Sequence, residues 1–368
     1  MTSTTALRPL GLFFGAGALP DTGETASPYL GLPLSNTGLY FNTLEVAERS
    51  GAGVQRSLIG LSELFQRDWP NALEISSIVD ALTAPRPRFA GLALDRPRIM
   101  GIVNVTPDSF SDGGQHDDAA RAIAHALKLA DEGADIVDIG GESTRPGAAP
   151  VPPAEELRRV IPVIEGLRGK TDKLISVDTR KAEVMRAAAK VGADILNDVS
   201  ALTHDPAALD AAAATGLPVI LMHSQGNPGT MNDAPVYGDL VLDVYDYLRE
   251  RIAACERAGI PSAKLCVDPG IGFAKHLAHN VAMMANLSIL HGLGVPILLG
   301  ASRKKMIGQL CEVPDAKDRV PGSLASALVG AAQGVQLIRV HDVAATKQAL
   351  AVWRASTIGV EPASYATR

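Results

Sequence analysis

The sequence predicts a (β/α)8 barrel, because strand and helix patterns alternate eight times over most of its 368 residues. Each strand pattern is a short run rich in Val, Ile and Leu, and each helix pattern is a longer amphipathic stretch rich in Ala. Continuous apolar strands joined by amphipathic helices indicate a parallel sheet covered by helices. Eight such units in roughly 260 residues match a closed barrel. An open doubly wound sheet is the alternative, but no G-x-G-x-x-G follows the first strand.

The eight units follow one another from residue 98 onward. In chain order the predicted strands are RIMGIVNV, ADIVDIG, KLISVD, ADILND, LPVILMH, KLCVDP, VPILLGAS and QLIRVH. The predicted helices cover 118–132, 154–169, 180–191, 206–215, 237–258, 277–291, 304–333 and 342–356, with a break in the seventh near Pro314 to Pro321. The barrel is therefore predicted over residues 96–360, with a C-terminal tail of 361–368.

Residues 1–95 form an N-terminal extension with a different pattern. LYFNTLEVAERS and SLIGLSELFQRDWPNALEISSIVDALT predict a strand and one or two helices, and a Pro-rich linker follows them. The extension is too rich in aromatic residues for a disordered tail. Because fewer than 100 residues make a marginal independent domain, we expect it to pack on the barrel or on a partner subunit. No motif in it indicates a second catalytic activity.

The composition is that of a cytoplasmic enzyme acting on small molecules. The net charge is −6 and no long basic run is present, which argues against nucleic-acid binding. No apolar run approaches the roughly 18 residues of a membrane span. The segment GLFFGAGAL resembles a signal peptide only weakly, because its apolar stretch is short and broken by Gly. Cys255, Cys266 and Cys311 lack metal-ligand spacing and are expected to be reduced.

Polar side chains follow the predicted strands at their C-terminal ends, where active sites of this fold lie. In strand order they are Asn104; Thr144 and Arg145; Asp178; Asn197 and Asp198; His223; Asp268 and Lys275; Ser302, Arg303 and Lys304; Arg339 and His341. Any one of them also fits a turn, a helix cap or a hydrogen-bonded wall position. Asp178 and Asp268 directly end the apolar runs ISVD and LCVD, so each carboxylate should need a partner at the barrel rim.

These side chains suit a flat, polar heterocycle joined to an anion. Carboxylate and amide groups that match the edge of a pterin-like ring are provided by Asp178, Asn197 and Asp268. Donors for a phosphate or pyrophosphate, with or without a metal, are provided by Arg145, Arg339 and His341. Lys304 suits either part of such a ligand.

Eight motifs, in this order and with barrel spacing, resemble those of bacterial dihydropteroate synthases. They are NVTPDSFSDGG, GGESTRPGA, ISVDT, LMHSQGNP, VDPGIGFAK, ASRKKMIG, GSLASA and IRVHDV, and the resemblance covers about residues 96–356. It implies condensation of 6-hydroxymethyl-7,8-dihydropterin pyrophosphate with p-aminobenzoate, which gives 7,8-dihydropteroate and pyrophosphate for folate synthesis. It also implies Mg²⁺ and a homodimer.

The resemblance also implies a role for each matching residue. The pterin contacts would be Asp178, Asn197, Asp268, Lys304 and Arg339. The pyrophosphate contacts would be Asn104, Arg145, Arg339 and His341, with Asn104 also ligating Mg²⁺. The p-aminobenzoate side would comprise Thr144, Pro146, Phe273 and Lys305, with Phe110 at the loop mouth. The catalytic residues would be Asp178, Lys304, Arg339 and His341.

The chain departs from the family pattern at three of these motifs. Lys305 stands where Ser is common, Ser224 where Met is usual, and Ala274 where Gly is frequent. The role of residue 305 and one contact to the pterin are therefore open. Ala274 should stiffen its loop slightly, because Ala has less backbone freedom than Gly.

The expected mechanism is dissociative substitution at the pterin methylene. Asp178 would stabilise the developing cation, and Mg²⁺ with Arg145, Arg339 and His341 would stabilise the leaving pyrophosphate. Loops 105–116 and 142–150 are expected to act as lids that exclude water. A pterin-binding methyl-transfer module and a noncatalytic pterin-binding paralogue are the alternatives. STRPG, SRK and the absence of a cobalamin-binding segment disfavour the first.

Overall fold

The N-terminal extension is a compact unit of short strands and two helices. The computed structural model describes residues 4–14, 31–51, 53–105, 115–143, 150–226 and 235–358. The elements of this unit are β1 (Thr4–Leu10), β2 (Phe13–Phe14), β3 (Leu32–Pro33), β4 (Leu39–Phe41), β5 (Thr43–Ser50), β6 (Gly53–Gly60), α1 (Leu61–Gln66) and α2 (Ala72–Thr83). Its strands form two antiparallel sheets, ordered β1-β5-β6 and β2-β4-β3. The sequence predicted the helices but too few strands, since several are only two or three residues long.

The predicted (β/α)8 barrel is confirmed. Its strands are β7 (Arg98–Asn104), β8 (Ile136–Gly140), β9 (Leu174–Asp178), β10 (Ile195–Asp198), β11 (Val219–Met222), β12 (Leu265–Asp268), β13 (Leu298–Leu299) and β14 (Leu337–Val340). They form one eight-stranded sheet, ordered β12-β11-β10-β9-β8-β7-β14-β13. A parallel bridge from Val267 to Ile297 joins the two ends of this sheet, and Val267 N donates to Pro296 O at 2.9 Å. The sheet is therefore closed.

Helices cover the outside of the barrel close to the predicted positions. They are α3 (Gln115–Glu132), α4 (Pro153–Leu167), α5 (Ala182–Lys190), α6 (Ala208–Thr215), α7 (Leu240–Arg257), α8 (Leu277–Ala285), α9 (Lys305–Cys311), α10 (Val320–Ala332) and α11 (Val343–Ile358). The predicted helix 277–291 instead ends at Ala285 and continues as a 3-10 turn, Leu287–Leu293. None of the helices described here is long and apolar enough to cross a membrane.

The barrel interior is apolar at the N-terminal ends of the strands. One buried cluster takes a side chain from seven of the eight strands: Met100, Ile136, Ile195, Ile220, Cys266, Leu298 and Leu337. Phe89 packs against this cluster at the N-terminal end of the barrel. It belongs to a tight turn in which Phe89 and Leu92 exchange backbone hydrogen bonds of 3.1 and 2.9 Å. The Pro-rich linker thus closes the bottom of the barrel, and the opposite end is left for the polar residues.

The N-terminal unit packs against the outer face of α7. Asp239, the N-cap of this helix, and Asp243 and Asp246 within it lie on one face, where three like charges would repel one another. Arg56 Nη2 donates to Asp239 Oδ2 at 2.6 Å, and Arg49 contacts both Asp243 and Asp246. The arginines therefore neutralise the acidic face and bind the unit to the barrel.

A buried arginine joins the same two parts of the chain. Arg86 is 5% exposed and makes no carboxylate contact within the described residues. It donates instead to Ala84 O at 3.1 Å and His291 O at 2.9 Å. These carbonyls lie at the C-terminal ends of α2 and of the 3-10 turn, where a cation is favourable. Burial nevertheless lowers the pKa of Arg86 to about 10.

Candidate active site

A polar layer lies directly above the apolar layer of the barrel interior. Side chains two residues apart on a strand point to the same face, so the residue two positions after each apolar residue also faces inward. On β8 this residue is Asp138, on β10 Asn197, on β12 Asp268 and on β14 Arg339. The strand register places the candidate residues at the C-terminal ends of the strands, as the sequence predicted.

Arg339 is the centre of this layer. Its Nε donates to Asp138 Oδ2 at 2.7 Å, and its Nη2 donates to Asp178 Oδ2 at 2.9 Å. Asp138 Oδ2 also accepts from Asn197 Nδ2 at 3.1 Å. One guanidinium therefore links two carboxylates, and the amide is tied to the same network.

Asp138 is a buried carboxylate in the site that was not among the residues predicted from the sequence. It lies within the run IVDIG, whose residues are all buried, and its side chain is fully buried. A carboxylate inside such a run must have a partner in the barrel, and that requirement was the available indication of its role.

Two glycines leave space among these side chains. A Cβ on Gly140 would lie 3.8 Å from Asn104 Oδ1 and 3.9 Å from Asp178 Oδ2. A Cβ on Gly300 would lie 3.7 Å from Asp268 Oδ2 and 3.9 Å from Arg339 Cβ. Asn104, Asp178, Asp268 and Arg339 therefore surround one interior space, and a larger residue at either glycine would extend into it.

Lys304 and Phe273 meet at one side of the site. Lys304 Nζ lies 4.5 Å from the centre of the Phe273 ring and donates to Ile271 O. Burial lowers the pKa of Lys304 to about 8, and the carboxylate of Asp268 opposes this shift. Burial also raises the pKa of Asp268, with Lys304 opposing the rise. The residues predicted for the pterin and for p-aminobenzoate are therefore neighbours here.

The loop that carries Phe273 is held by a buried lysine. Lys275 Nζ contacts His223 Nδ1 at 2.9 Å, Gly270 O at 3.1 Å and Phe273 O at 3.1 Å, which uses all three of its donors. Burial lowers its pKa to about 7. Ala274 adopts φ +47°, a left-handed conformation that is strained for a residue with a Cβ. The loop that contains Ala274 is therefore expected to be strained as well as stiffer than a loop with Gly at this position.

The ionisation of Asp178 depends on its neighbours. Burial raises its pKa to about 7, the guanidinium of Arg339 opposes the rise, and the carboxylate of Asp138 adds to it. Asp198 is also buried, accepts a hydrogen bond from Ser200 Oγ, and burial raises its pKa to about 6. Near neutral pH a hydrogen-bond donor or a positive charge beside Asp178 would favour its anion.

Comparison with known proteins identifies the family. Residues 100–341 match the model of a family described as pterin binding enzyme. The dihydropteroate synthase of Escherichia coli K12 is 53% identical over 274 residues, which cover 74% of this chain and 96% of that protein. A solved structure of Xanthomonas albilineans dihydropteroate synthase with 4-aminobenzoic acid is 56% identical, with a TM-score of 0.70 and coverage of 74% of this chain and 98% of that one. This chain belongs to the dihydropteroate synthase family.

Two further structures of this family have ligands named in their descriptions. The Xanthomonas albilineans synthase in complex with 7,8-dihydropteroate is 54% identical, covers 74% of this chain and 98% of that chain, and has a TM-score of 0.67. The Yersinia pestis synthase in a sulfonamide drug complex is 51% identical, covers 72% and 96% respectively, and has a TM-score of 0.69. The family match begins at residue 100, so the N-terminal unit lies outside it.

Two further residues expected from the family, His341 and Lys305, lie within the described part of the chain. His341 Nδ1 lies 3.0 Å from Ser302 Oγ, and its backbone N donates to the same oxygen. Lys305 is exposed at the first position of α9. Phe110, Thr144, Arg145 and Pro146 lie outside the described residues, as do most of the two predicted lids.

The base of the second predicted lid is fixed by buried charges. Glu142 Oε1 accepts from Val151 N at 2.9 Å, so the two ends of the loop are joined. Glu142 Oε2 accepts from Arg180 Nη2 at 3.0 Å and lies 3.1 Å from Lys181 Nζ. Glu156 pairs with the same lysine and is fully buried.

The residues around Asn104 fit the Mg²⁺ that the family resemblance implies. Mg²⁺ prefers oxygen ligands and commonly binds through one or two protein oxygens together with substrate phosphates. Asn104 Oδ1 and Asp178 Oδ2 approach the same point beside Gly140, so oxygen donors face the interior space there. Among the described residues no group of three His, Cys, Asp or Glu side chains could hold a metal by itself. Asn104 would therefore hold the ion together with oxygens of the substrate or of water.

Proposed function

We propose that this protein forms 7,8-dihydropteroate by dissociative substitution at the methylene carbon of a dihydropterin pyrophosphate. As a member of the dihydropteroate synthase family it is a transferase, which joins 6-hydroxymethyl-7,8-dihydropterin pyrophosphate to p-aminobenzoate and releases pyrophosphate. The observation that carries this proposal is the convergence of Asp178, Asn197, Asp268 and Arg339 on one interior layer of the barrel. The relatives named above are synthases, which favours this reaction over methyl transfer.

The polar layer suits the pterin ring. Asp178 and Asp268 provide carboxylate oxygens for its amino and ring N–H groups, and Lys304 and Arg339 provide donors for its oxygen and ring nitrogens. The apolar layer at the N-terminal ends of the strands fills the barrel interior, so a flat ring cannot bind deeper than the polar layer. Because the site is largely buried, these contacts are stronger than they would be in water.

Charge in the site matches the charge that develops in the reaction. The bond between the methylene carbon and the bridging oxygen breaks, and the electron pair leaves with the pyrophosphate. The ring and the Asp178 carboxylate stabilise the resulting carbocation, while Arg145, Arg339 and His341 stabilise the leaving group. The amino nitrogen of p-aminobenzoate then bonds to the methylene carbon and loses a proton. No strong nucleophile has to be generated by the protein.

We further propose Mg²⁺ as the cofactor, held by Asn104 together with pyrophosphate oxygens. When bound, the ion would neutralise charge on the leaving pyrophosphate. We also propose a cytoplasmic homodimer, in keeping with the charge and cysteine content of the chain. The acidic α7 face is covered by the N-terminal unit of the same chain, so a partner would bind elsewhere.

The reaction is tested by incubating the full-length protein with dihydropterin pyrophosphate, p-aminobenzoate and Mg²⁺ and measuring dihydropteroate. Asp178→Asn should lose turnover much more than pterin affinity, because its charge matters most where the cation develops. Ser176→Ala is the matched control, since Ser176 is buried two residues before Asp178 and therefore lies on the same face of β9. Absence of product with the native protein, or full turnover by Asp178→Asn, would refute the proposal.

The place of the second substrate is tested with a sulfonamide. The drug imitates the arylamine and the carboxylate, so sulfamethoxazole should compete with p-aminobenzoate near Thr144, Pro146, Phe273 and Lys305. The Lys305 ammonium should favour the carboxylate, whose charge is confined to two oxygens, over the sulfonyl, and Lys305→Ser should therefore increase inhibition. Pro146→Ser is measured in parallel because residue 146 is assigned to the drug's outer substituent. Noncompetitive inhibition would place the second substrate elsewhere.

A further inference from the structure

The orientation of the Asn197 amide is fixed from below by Asp138. Asn197 Nδ2 donates to Asp138 Oδ2 at 3.1 Å, and Arg339 Nε donates to the same oxygen at 2.7 Å. A carboxylate paired with a guanidinium has oxygens that only accept. Rotating the amide by 180° would place Asn197 Oδ1 against this oxygen and lose a charge-assisted hydrogen bond. The nitrogen must therefore face Asp138.

The other end of the same amide is available to a ligand. Asn197 is 5% exposed, and no hydrogen bond from another described residue reaches its Oδ1. Both donors converge on Asp138 Oδ2, while Asp138 Oδ1 is buried without a partner among the described residues. A purely structural ion pair would be expected to use both carboxylate oxygens, because an unsatisfied buried acceptor is costly. Asp138 instead holds one oxygen between the arginine and the amide.

We propose that Asp138 is a positioning residue that determines specificity, because it keeps the Oδ1 acceptor of Asn197 turned toward the ligand. Together with the carboxylates of Asp178 and Asp268, this gives three acceptors toward one heterocycle. Such a set selects a ring edge that carries amino and N–H donors and rejects an edge on which the amino group is replaced by a carbonyl. The inference rests on the proposed function for the identity of the ring.

The chain offers a matched control for this test. Ser176 is the register partner of Asp138 on the neighbouring strand, so its side chain lies in the same interior layer. It is fully buried, and its Oγ has no hydrogen-bond partner in the described part of the chain. Ser176→Ala therefore alters the same layer without changing a contact to Arg339 or Asn197.

The experiment compares two ligands by calorimetric titration of the full-length protein. One is 6-hydroxymethylpterin, and the other is 6-hydroxymethyllumazine, in which a carbonyl replaces the 2-amino group. The native protein and Ser176→Ala should both prefer the pterin by at least about 30-fold. Asp138→Ala removes the acceptor that holds the Asn197 amide, so the amide is free to turn and the preference should shrink about tenfold.

The second part of the experiment exchanges Asp138 and Asn197. In Asp138→Asn/Asn197→Asp the acid and the amide change places, the net charge is kept, and a carboxylate oxygen faces the ligand whichever way it turns. The preference for the pterin should return in this double variant, which also carries the test if Asp138→Ala alone does not fold. An undiminished preference in folded Asp138→Ala, with both ligands weakened equally, or no recovery in the exchange, would overturn the role of Asp138. A native protein that binds neither ligand would instead overturn the proposed function.

Discussion

Replacing Asp178 should change how the stability of the ligand-free enzyme depends on pH. Burial raises the pKa of this carboxyl from the ordinary 3.8 to about 7, against the opposing charge of Arg339. Between these two values the folded protein holds a proton that the unfolded chain has already released. Stability from this group is therefore complete at low pH, falls as pH rises toward 7, and is constant above it.

The size of the effect follows from the size of the shift. One pKa unit corresponds to about 1.4 kcal/mol, so the slope is at most about 1.4 kcal/mol per pH unit and the total approaches about 4 kcal/mol. Asn cannot ionise, so Asp178→Asn should lack this slope. The loss of its contact with Arg339 should displace the whole curve without changing its shape. Asp198 and Asp268 titrate in both proteins and contribute to both curves.

The assay is urea unfolding of native protein and Asp178→Asn at several pH values from 5 to 8. Asp205→Asn is the control, because hydrogen bonding from Ala182 N lowers the pKa of Asp205 and its titration lies below this range. The free energy of unfolding of that variant should change with pH in parallel with that of the native protein. The curve for Asp178→Asn should diverge from it and be relatively more stable at pH 8. Parallel curves for native and Asp178→Asn over the whole range would refute the reasoning.

Three further changes have expected outcomes. Ala274→Gly should leave the free energy of unfolding unchanged or raise it by up to about 1 kcal/mol, because φ is +47° at this residue. The control Ala188→Gly, within α5, should lower the free energy of unfolding by about 1 kcal/mol or more, and chemical unfolding of both variants tests this difference. Arg49→Ala should lower the free energy of unfolding by about 1–3 kcal/mol in the same assay, since the Arg49 side chain is 18% exposed and pairs with two carboxylates of α7. Arg249→Ala should lower it by less than about 0.5 kcal/mol, because the Arg249 side chain is 43% exposed. Equal losses in the two variants would contradict the docking role of Arg49. His341→Ala should weaken binding of the pyrophosphate-bearing substrate by about 1.5–3 kcal/mol and that of the free hydroxymethyl pterin much less, and equal losses in calorimetry would remove this residue from the anion site.

The parts of the fold that sequence predicted best are those whose pattern is local. Strands such as LCVD are continuous apolar runs whose end is marked by the first polar residue, Asp268, so the register of the candidate site followed directly. Helix boundaries were close for the same reason. The helix predicted over 277–291 was too long, because the change to a 3-10 turn at Leu287 depends on packing against β1 and α2 and not on local propensity.

The parts that sequence predicted poorly depend on contacts between distant residues. β1 contains Pro9 and pairs with β5 across more than thirty residues, so no local turn pattern indicated it. β13 is reduced to two residues, beside a proline that donates no hydrogen bond. Asp138 was missed because its importance comes from Arg339, which lies 201 residues further along the chain. A pattern in one segment does not reveal a partner of this kind.

The contact between the N-terminal unit and the barrel has a consequence for how the chain is made. Thr4 Oγ1 donates to Asp246, 242 residues later, and Pro9 O accepts from Ser288, 279 residues later. During synthesis this unit is made before the surface that covers it, because Asp246 and Ser288 come later in the chain. Ala6 and Ala47 of the unit share a buried cluster with barrel residues, so their packing is complete only after the barrel has been made, and contacts this distant form slowly. β1 and β5 should therefore be among the last strands to reach their final packing.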